Sequence, residues 1–408
     1  MADMLAASVN RVVDNDLCSG CGVCSLISAR ISVAPDGPKG FMRPTVAGAP
    51  TTEDKSEALT FLKVCPGSEI TAPAPAEHHH EVFGRYVSVW QGWAADPELR
   101  EAGSSGGVIT ALNMWLISSG QVQDVVCSAA DKSTPSRTVP VTITNRAEAL
   151  EASGSRYAPV ANGAAYRGTA DSVFVGKPCE VSAVSQLETA TGADIQDIPF
   201  KISFFCAGTP SQEATDRLVS KLGVSPRDVD KLRYRGNGWP GEFTVSDTVG
   251  ASGSMSYEDS WGRNLGRDVQ WRCRPCIDGT GGHADIAVGD YWAADDKGFP
   301  VFENSDGNSV VIARTARGHE SLMRAANHGV IWLDQLDLNS LTSVQPLQAV
   351  RRRGMLGRLI GSVIAGGRVP RYIGYQMALS AIRHPVLFVR QVVGTARRLT
   401  QRKGANPE

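Results

Sequence analysis

Several things are missing from this sequence. No run of about 18 uncharged apolar residues occurs in its 408 residues, which argues against a membrane-spanning helix. The N-terminal MADMLAASVNRVVDND has neither a basic start nor a long apolar stretch. A secretory signal is therefore not expected, and the chain reads as cytoplasmic. Net charge is also missing: 41 basic against 42 acidic side chains leave -1. The chain as a whole lacks the basic signature of a nucleic-acid-binding protein. The core is read as lacking a G-x-G-x-x-G turn after a strand, so a Rossmann dinucleotide site is not expected. With 42% hydrophobic and 20% charged residues, wholesale disorder is excluded. The length suggests two or three domains.

What the sequence does have is cysteine. There are nine: Cys18, Cys21, Cys24, Cys65, Cys127, Cys179, Cys206, Cys273 and Cys276. With no export signal and two regions of C-x-x-C spacing, metal or cluster ligation is favoured over disulfides. LCSGCGVC places Cys18, Cys21 and Cys24 at two-residue intervals, and VCPG adds Cys65 followed by proline. An iron-sulfur cube needs four thiolates at its corners. Three evenly spaced cysteines can wrap one side, with Ser19, Gly20 and Gly22 small enough for the backbone to approach, and a distant Cys-Pro supplies the fourth. Zinc prefers paired C-x-x-C units or cysteine with histidine, so a 4Fe-4S cluster is the expectation here.

Cys273 and Cys276 in WRCRPCIDG are ambiguous among zinc, redox and cluster roles. Cys179 and Cys206 each follow an apolar run, in DSVFVGKPC and PFKISFFCAG. Ligand groups collect at such strand ends in open α/β sheets, but buried structural cysteines fit the pattern equally well. Cys127 has no partner in the sequence and reads as a core residue.

Strand-like runs alternate with helical stretches from YVSVWQGWA onward, which predicts an α/β layer with partly parallel strands. GEFTVSDT, SGSMSYED, HADIAVGDYW and NSVVIARTA are expected to add strands to that core. The expected organisation is an iron-sulfur module over 1–70, a Pro/Ala- and His-rich linker over 71–85, a core over 86–345 and a tail over 346–408. The His triplet in the linker is read as solvated. From Gln345 onward there are eleven arginines and one lysine against a single acid, Glu408. Leu356, Leu359, Ile360, Val363 and Ile364 can share one helix face, and Val386, Leu387, Val389, Val392 and Val393 repeat the mix. The tail therefore reads as basic amphipathic helices outside the main core, which either pack on that core with solvated arginines, bind an acidic partner protein, or make peripheral contact with an anionic membrane face.

Seven motifs together resemble the coenzyme F-420 hydrogenase/dehydrogenase beta-subunit family: SSGGVIT (104–110), GSRY (154–157), VGKPC (175–179), FFC (204–206), CRPC (273–276), ADIAVGD (284–290) and GNSVVIART (307–315). The resemblance runs from about Leu17 to about Ala316. It is strongest to the two-cluster branch, which includes 7-hydroxymethyl chlorophyll a reductase and deazaflavin dehydrogenase beta subunits. The basic tail departs from the family pattern. The resemblance implies an α/β (α+β) flavoprotein core behind a ferredoxin-like module. It also implies a second 4Fe-4S cluster on Cys179, Cys206, Cys273 and Cys276, making two with Cys18, Cys21, Cys24 and Cys65.

FAD is the implied flavin. Ser104, Ser105, Gly106 and Gly107, opening a helix, would form an anion nest. Arg156 and Tyr157, Lys177, and Asn308 and Ser309 would face the cofactor, while Asp290 could equally be a turn residue. The implied activity is an FAD- and iron-sulfur-dependent oxidoreductase, with ferredoxin or reduced coenzyme F-420 as electron donor. The alternative is an electron-transfer subunit without substrate chemistry of its own. Catalytic residues, substrate and oligomeric state are not legible.

Overall fold

The computed structural model describes residues 3–292 and 306–405, with side chains up to Arg402. Glu408, the one acid of the basic tail, lies outside the described residues. An eight-stranded mixed sheet organises the chain. From edge to edge its strands are Ile331–Gln335, Ser88–Ala94, Asn308–Ala313, Ile286–Tyr291, Phe200–Phe204, Ser172–Gly176, Asp124–Ala130 and Thr138–Ile143. The four from Ile286–Tyr291 to Asp124–Ala130 run parallel, and the outer strands pair antiparallel.

The apolar runs explain this layering. In Ser172–Gly176, Val173 and Val175 face the helix Val108–Ser118, through residues such as Leu112 and Leu116. Phe174 faces the opposite way, onto Val181 and Val184 of the helix Pro178–Thr191. A strand covered on both faces needs continuous apolar sequence rather than alternation. Pro178–Thr191 begins at a proline, has the Glu180 carboxylate accepting from the Lys177 N–H at 2.7 Å, and stops at the left-handed Gly192. Cys179 thereby falls in the first turn of a helix that starts at the carboxyl end of a parallel strand.

Residues GEFTVSDT and SGSMSYED do not extend the main sheet. Glu242–Asp247 and Ser252–Ser256 join Val229–Arg233 in a separate three-stranded antiparallel sheet around Tyr234 and Phe243. Gly236, Gly238 and Gly241 do carry the G-x-G-x-x-G spacing, which corrects the expectation that no such turn follows a strand. It leads from Val229–Arg233 to the strand Glu242–Asp247 and opens no helix, so it lacks the helix N-terminus that a Rossmann site uses.

The N-terminal residues form the helix Met4–Val13, a hairpin of Ile31–Asp36 with Phe41–Val46, and the helix Asp54–Val64. Cys21, Val23 and Val64 pack against Val181 and Val184, so this part rests directly on the sheet's helical cover. The segment 71–85 is not a free spacer. His78–His80 pairs with Gly84–Tyr86, and Val82 and Phe83 are buried against Leu338 and Leu341 because apolar side chains in the turn need cover.

The tail likewise does not stand outside the core. Arg371–Ile373 adds a strand beside Glu69–Thr71, and Met355, Leu359, Tyr372 and Tyr375 are buried with Ile70 and Ile277. The helices Met355–Ile364 and Pro385–Ala405 approach backbone to backbone at Gly357 and Gly361. Their outer residues stay open: Val363, Ile364, Ile382, Val386, Val389 and Val393 are exposed. Among the described residues no helix is long and apolar enough to cross a membrane.

A Cβ at Gly361 would meet the Val392 carbonyl at 2.3 Å. Gly361→Val should therefore part the two helices. It should destabilise the chain by about 1–3 kcal/mol in urea unfolding, the usual cost of overpacking, and speed tryptic cleavage at Arg390 and Arg397.

Candidate functional site

At the carboxyl ends of the parallel strands lies a cavity of about 870 Å³. That is the upper part of the size range for small-molecule and cofactor pockets. Its floor is the strand ends at Val175–Gly176, Phe204 and Val288–Asp290, and one wall is the turn at Gly103–Gly107. Gly107 is left-handed (φ +70°), and a Cβ there would meet the Leu99 carbonyl at 2.5 Å. Only glycine fits, and the tight turn it allows starts the helix Val108–Ser118 with its N-terminus toward the cavity.

Of the residues expected to face a flavin, Ser104, Ser105, Gly107, Arg156, Tyr157 and Lys177 line this cavity, while Gly106, Asn308 and Ser309 lie behind it. Ser309 holds the turn from the rear, its hydroxyl 2.8 Å from that of Ser105 and accepting from the Gly106 N–H at 2.9 Å. Asn308 bonds Gln91 at 3.2 Å. Arg156 commits its donors to Thr138 Oγ1 and to the carbonyls of Leu232, Pro135 and Arg137, which leaves little for a ligand. Lys177 Nζ sits 2.7 Å from Glu180 Oε1 and 3.1 Å from the Val160 carbonyl. Burial works against its charge, but Glu180, Cys179 and Cys206 together hold its pKa above the ordinary lysine value.

Other lining residues gave no signal in sequence. Arg235 is 1% exposed, pairs with Asp290, and is flanked by the rings of Trp239 and Tyr257, each 4.7 Å from its guanidinium carbon. Arg235 Nη2, Asn113 Oδ1 and Trp292 Nε1 are buried without a hydrogen-bond partner among the described residues. Tyr157 and Trp261 lie against each other on the same wall, ring centres 4.7 Å apart and planes tilted by 44°. Orphaned polar atoms beside aromatic faces suit a flat, polar heteroaromatic ligand.

None of the nine cysteines forms a disulfide. Cys18, Cys21, Cys24 and Cys65 surround a space of about 20 Å³ closed by Val12, Phe61 and Val64. The Gly20 N–H points at Cys18 Sγ at 3.4 Å. Gly22 is left-handed (φ +85°), which turns the chain between Cys21 and Cys24.

Cys179 and Cys206 follow adjacent parallel strands, and Cys273 and Cys276 come to them from the loop after Trp271. Each of the pairs Cys179 with Cys206, and Cys206 with Cys273 and Cys276, lies within electrostatic reach. The Thr209 N–H donates to Cys273 Sγ at 3.3 Å. The two quartets adjoin, since Cys179 also senses Cys21. Among the described residues no three His, Cys, Asp or Glu side chains converge to hold a single metal ion. Cys127 lies buried in the wall of the large cavity.

A short segment staples the quartets together. Gln270 donates to the Ser19 carbonyl at 2.9 Å, between Cys18 and Cys21, and accepts from Arg43 at 3.2 Å. Two residues on, Arg272 Nη2 donates to the Pro66 carbonyl at 2.7 Å, just after Cys65. Arg272 is 2% exposed and stands between the quartets, within reach of Cys18 on one side and of Cys179, Cys273 and Cys276 on the other. Burial first, and neighbouring thiols second, push Cys21 up to about 11 and Cys65 up to about 12, and burial with Cys273 pushes Cys206 up to about 12. Any metal or cluster bound by these thiols must displace their protons.

Fold and site together define a mixed α/β protein with a cofactor-sized cavity at the carboxyl ends of its parallel strands and two cysteine quartets beside it. Two family models for the coenzyme F420 hydrogenase/dehydrogenase beta subunit match the sequence, the N-terminal one over residues 89–167 and the C-terminal one over residues 170–339. Together these span more than half of the chain, which therefore belongs to the coenzyme F420 hydrogenase/dehydrogenase beta-subunit family. It is 26% identical over 263 residues to the coenzyme F420 hydrogenase subunit beta of Methanococcus voltae, covering 62% of this chain and 86% of the relative. The F420-dependent formate dehydrogenase 1 subunit beta of Methanococcus maripaludis is 27% identical over 58% of this chain and 59% of its own length. The coenzyme F420-dependent sulfite reductase of Methanocaldococcus jannaschii is 22% identical over 76% of this chain, but only 46% of that relative is spanned. Among solved structures, a chain of the F420-reducing nickel–iron hydrogenase complex from Methanosarcina barkeri shares the fold, with a TM-score of 0.55 and 20% identity over 72% of this chain and 98% of that one. Cys18, Cys21, Cys24, Cys65 and the tail lie outside the residues matched to the family.

Arg272→Met would leave the Pro66 carbonyl unpaired. The metal-free chain should lose about 1.5–3 kcal/mol, the range for a hydrogen bond to a charged group. Hydrogen exchange should rise at residues 66–71, and an unchanged exchange pattern would show that the staple does not hold the two quartets together.

Proposed function

We propose that the chain is an iron-sulfur flavoprotein oxidoreductase. It passes electrons between ferredoxin or reduced coenzyme F-420 and a substrate not yet identified, through two 4Fe-4S clusters and FAD. The observation that carries this reading is the approach of Cys206, which lines the large cavity, to Cys179, Cys273 and Cys276, and of Cys179 to Cys21 of the N-terminal quartet. A lone zinc draws all its sulfurs to about 2.3 Å from one point, whereas a cube keeps its thiolates apart at four corners. The three evenly spaced cysteines and the distant Cys-Pro of the N-terminal quartet favour the cube.

Bound flavin would supply exchange of electrons in pairs with organic partners and singly with clusters. The chain's own residues have simpler tasks. The Ser104–Gly107 turn and the helix behind it receive a pyrophosphate, with Ser309 fixing the turn. Arg235, held by Asp290, and Asn113 offer a donor and an acceptor to a heteroaromatic ring, and Tyr157 and Trp261 cover its face. Lys177, held by Glu180, keeps a positive charge between the cavity and Cys179. The relatives named as hydrogenase and formate dehydrogenase subunits favour a second reading for the whole assembly, in which partner proteins carry the substrate chemistry and this chain carries electrons.

The tail supports a peripheral membrane contact as well. On the helix Pro385–Ala405, Val386, Val389 and Val393 form an exposed apolar stripe at helical spacing, with the exposed Arg390 and Arg397 on the same helix. Such a face combines apolar area with attraction to anionic headgroups. Truncation at Gln345 is a poor test because the tail packs into the core. In the full chain, Val389→Asp with Val393→Asp should abolish co-sedimentation with anionic vesicles at low salt, and neutral vesicles should bind neither form.

Anaerobically purified protein should hold about eight iron atoms, four for each proposed 4Fe-4S cluster. It should also release a compound of FAD's mass. Cys21→Ala should remove about half the iron and keep the flavin, on the same two-cluster count. Full iron retention would overturn the N-terminal cluster, and a flavin-free preparation would overturn the cavity's assignment.

A further inference from the structure

A second cavity, of about 240 Å³, lies away from the first, between the 72–85 segment, the loop that follows Cys276, and the tail. Gln348 lines both cavities, so it and its neighbour Arg351 form part of the wall between them. The second cavity is cationic. Arg85, Arg351 and Arg352 line it against one carboxylate, Asp278.

Asp278 is already committed. Its oxygens accept from the Thr280 N–H at 2.9 Å and the Gly282 N–H at 2.8 Å, and His283 stands 4.0 Å away. The cations are less well served. The side chain of Arg352, which is half-buried, makes no hydrogen bond or ion pair to a described residue, and its guanidinium carbon lies 4.7 Å from the centre of the Tyr375 ring. Tyr375 is 8% exposed and its hydroxyl has no partner. Arg351, 5% exposed, donates to the carbonyls of Cys206 at 2.8 Å and Ala207 at 2.7 Å, yet its Nε is unpaired. Arg85 donates to Gly282 and Ala74 through Nε and Nη1. Burial lowers the pKa of both Arg352 and Arg85 below the usual arginine value, the mark of positive charge held without enough compensation.

A guanidinium withdrawn from water without a counter-charge is costly unless something pairs it. Its planar fork matches a carboxylate or phosphate edge. We propose that this second cavity binds a small molecule through a phosphate or carboxylate group, with Arg352 as the principal contact and Arg85 and the Tyr375 hydroxyl assisting. The site is independent of the flavin reading, because none of these three residues touches the large cavity. It is a property of this chain's tail, which supplies Arg351, Arg352 and Tyr375 and lies outside the residues matched to the family.

The test is calorimetric titration of the full-length, flavin-loaded protein with sodium phosphate and, separately, sodium acetate, at constant ionic strength set by chloride. One saturable site should appear for at least one anion, and the tighter of the two names the ligand's acidic group. Arg352→Gln should weaken it at least tenfold, Arg352→Lys less, and Tyr375→Phe a few-fold, with the far-ultraviolet spectrum and flavin content unchanged. If Arg352→Gln does not fold, Arg85→Gln takes its place with the same expected direction. No saturable binding of either anion, or binding that none of these changes weakens, would overturn the proposal. Phosphate bound at the Ser104–Gly107 turn would be insensitive to Arg352 and so counts against the second site.

Discussion

A guanidinium taken out of water must place its donors on acceptors, and much of this structure follows from that constraint. Arg272 bonds the carbonyl after Cys65. Arg351 bonds the carbonyls of Cys206 and Ala207, and Arg358 bonds that of Arg274 between Cys273 and Cys276. Arg314, fully buried, bonds Phe83, Arg85 and Thr280. These are backbone acceptors in irregular loops, where no ladder would otherwise satisfy them. The arginines therefore do for the cysteine-bearing loops what hydrogen-bond ladders do for strands. They also bring positive charge to a region where eight thiols, once deprotonated, would repel one another.

That arrangement explains why the N-terminal residues are not a loosely tethered module. Gln270 and Arg272 reach the backbone beside both ends of the first quartet. Gln186, on the helix that carries Cys179 in its first turn, bonds the carbonyls of Lys63, Val64 and Glu69. The first quartet is thus held by residues adjacent to the second. Electron exchange between them, if both hold clusters as proposed, would not wait on domain motion, because the Gln270 and Arg272 contacts that join them are buried and polar.

The tail shows how one composition serves two ends. Its inward arginines, Arg351, Arg352 and Arg358, meet the cysteine loops and the second cavity. Its outward ones, Arg383, Arg390 and Arg397, stand in solvent beside exposed valines. An amphipathic pattern states only that two faces differ. Here both faces are mixed, so hydrophobic periodicity separates them poorly.

The sequence by itself determined the cysteine spacing, the continuous apolar strands, the Ser-Gly turn and the family to which the chain belongs. Those features depend on neighbours in sequence: three residues for a C-x-x-C, two-sided burial for an unbroken apolar run, a missing Cβ for a left-handed turn. Only the tertiary structure decided that the 229–256 strands form their own sheet, that Ser309 and Asn308 stand behind the cavity, and that Arg156 is already committed to carbonyls. It also decided that 71–85 and the tail belong to the core. Each of these turns on which distant backbone carbonyl or apolar side chain happens to lie opposite. Pairing across 200 residues, as between Arg272 and Pro66, leaves no local pattern, because the energy of a buried polar contact depends on its partner's position and not on the residues beside it.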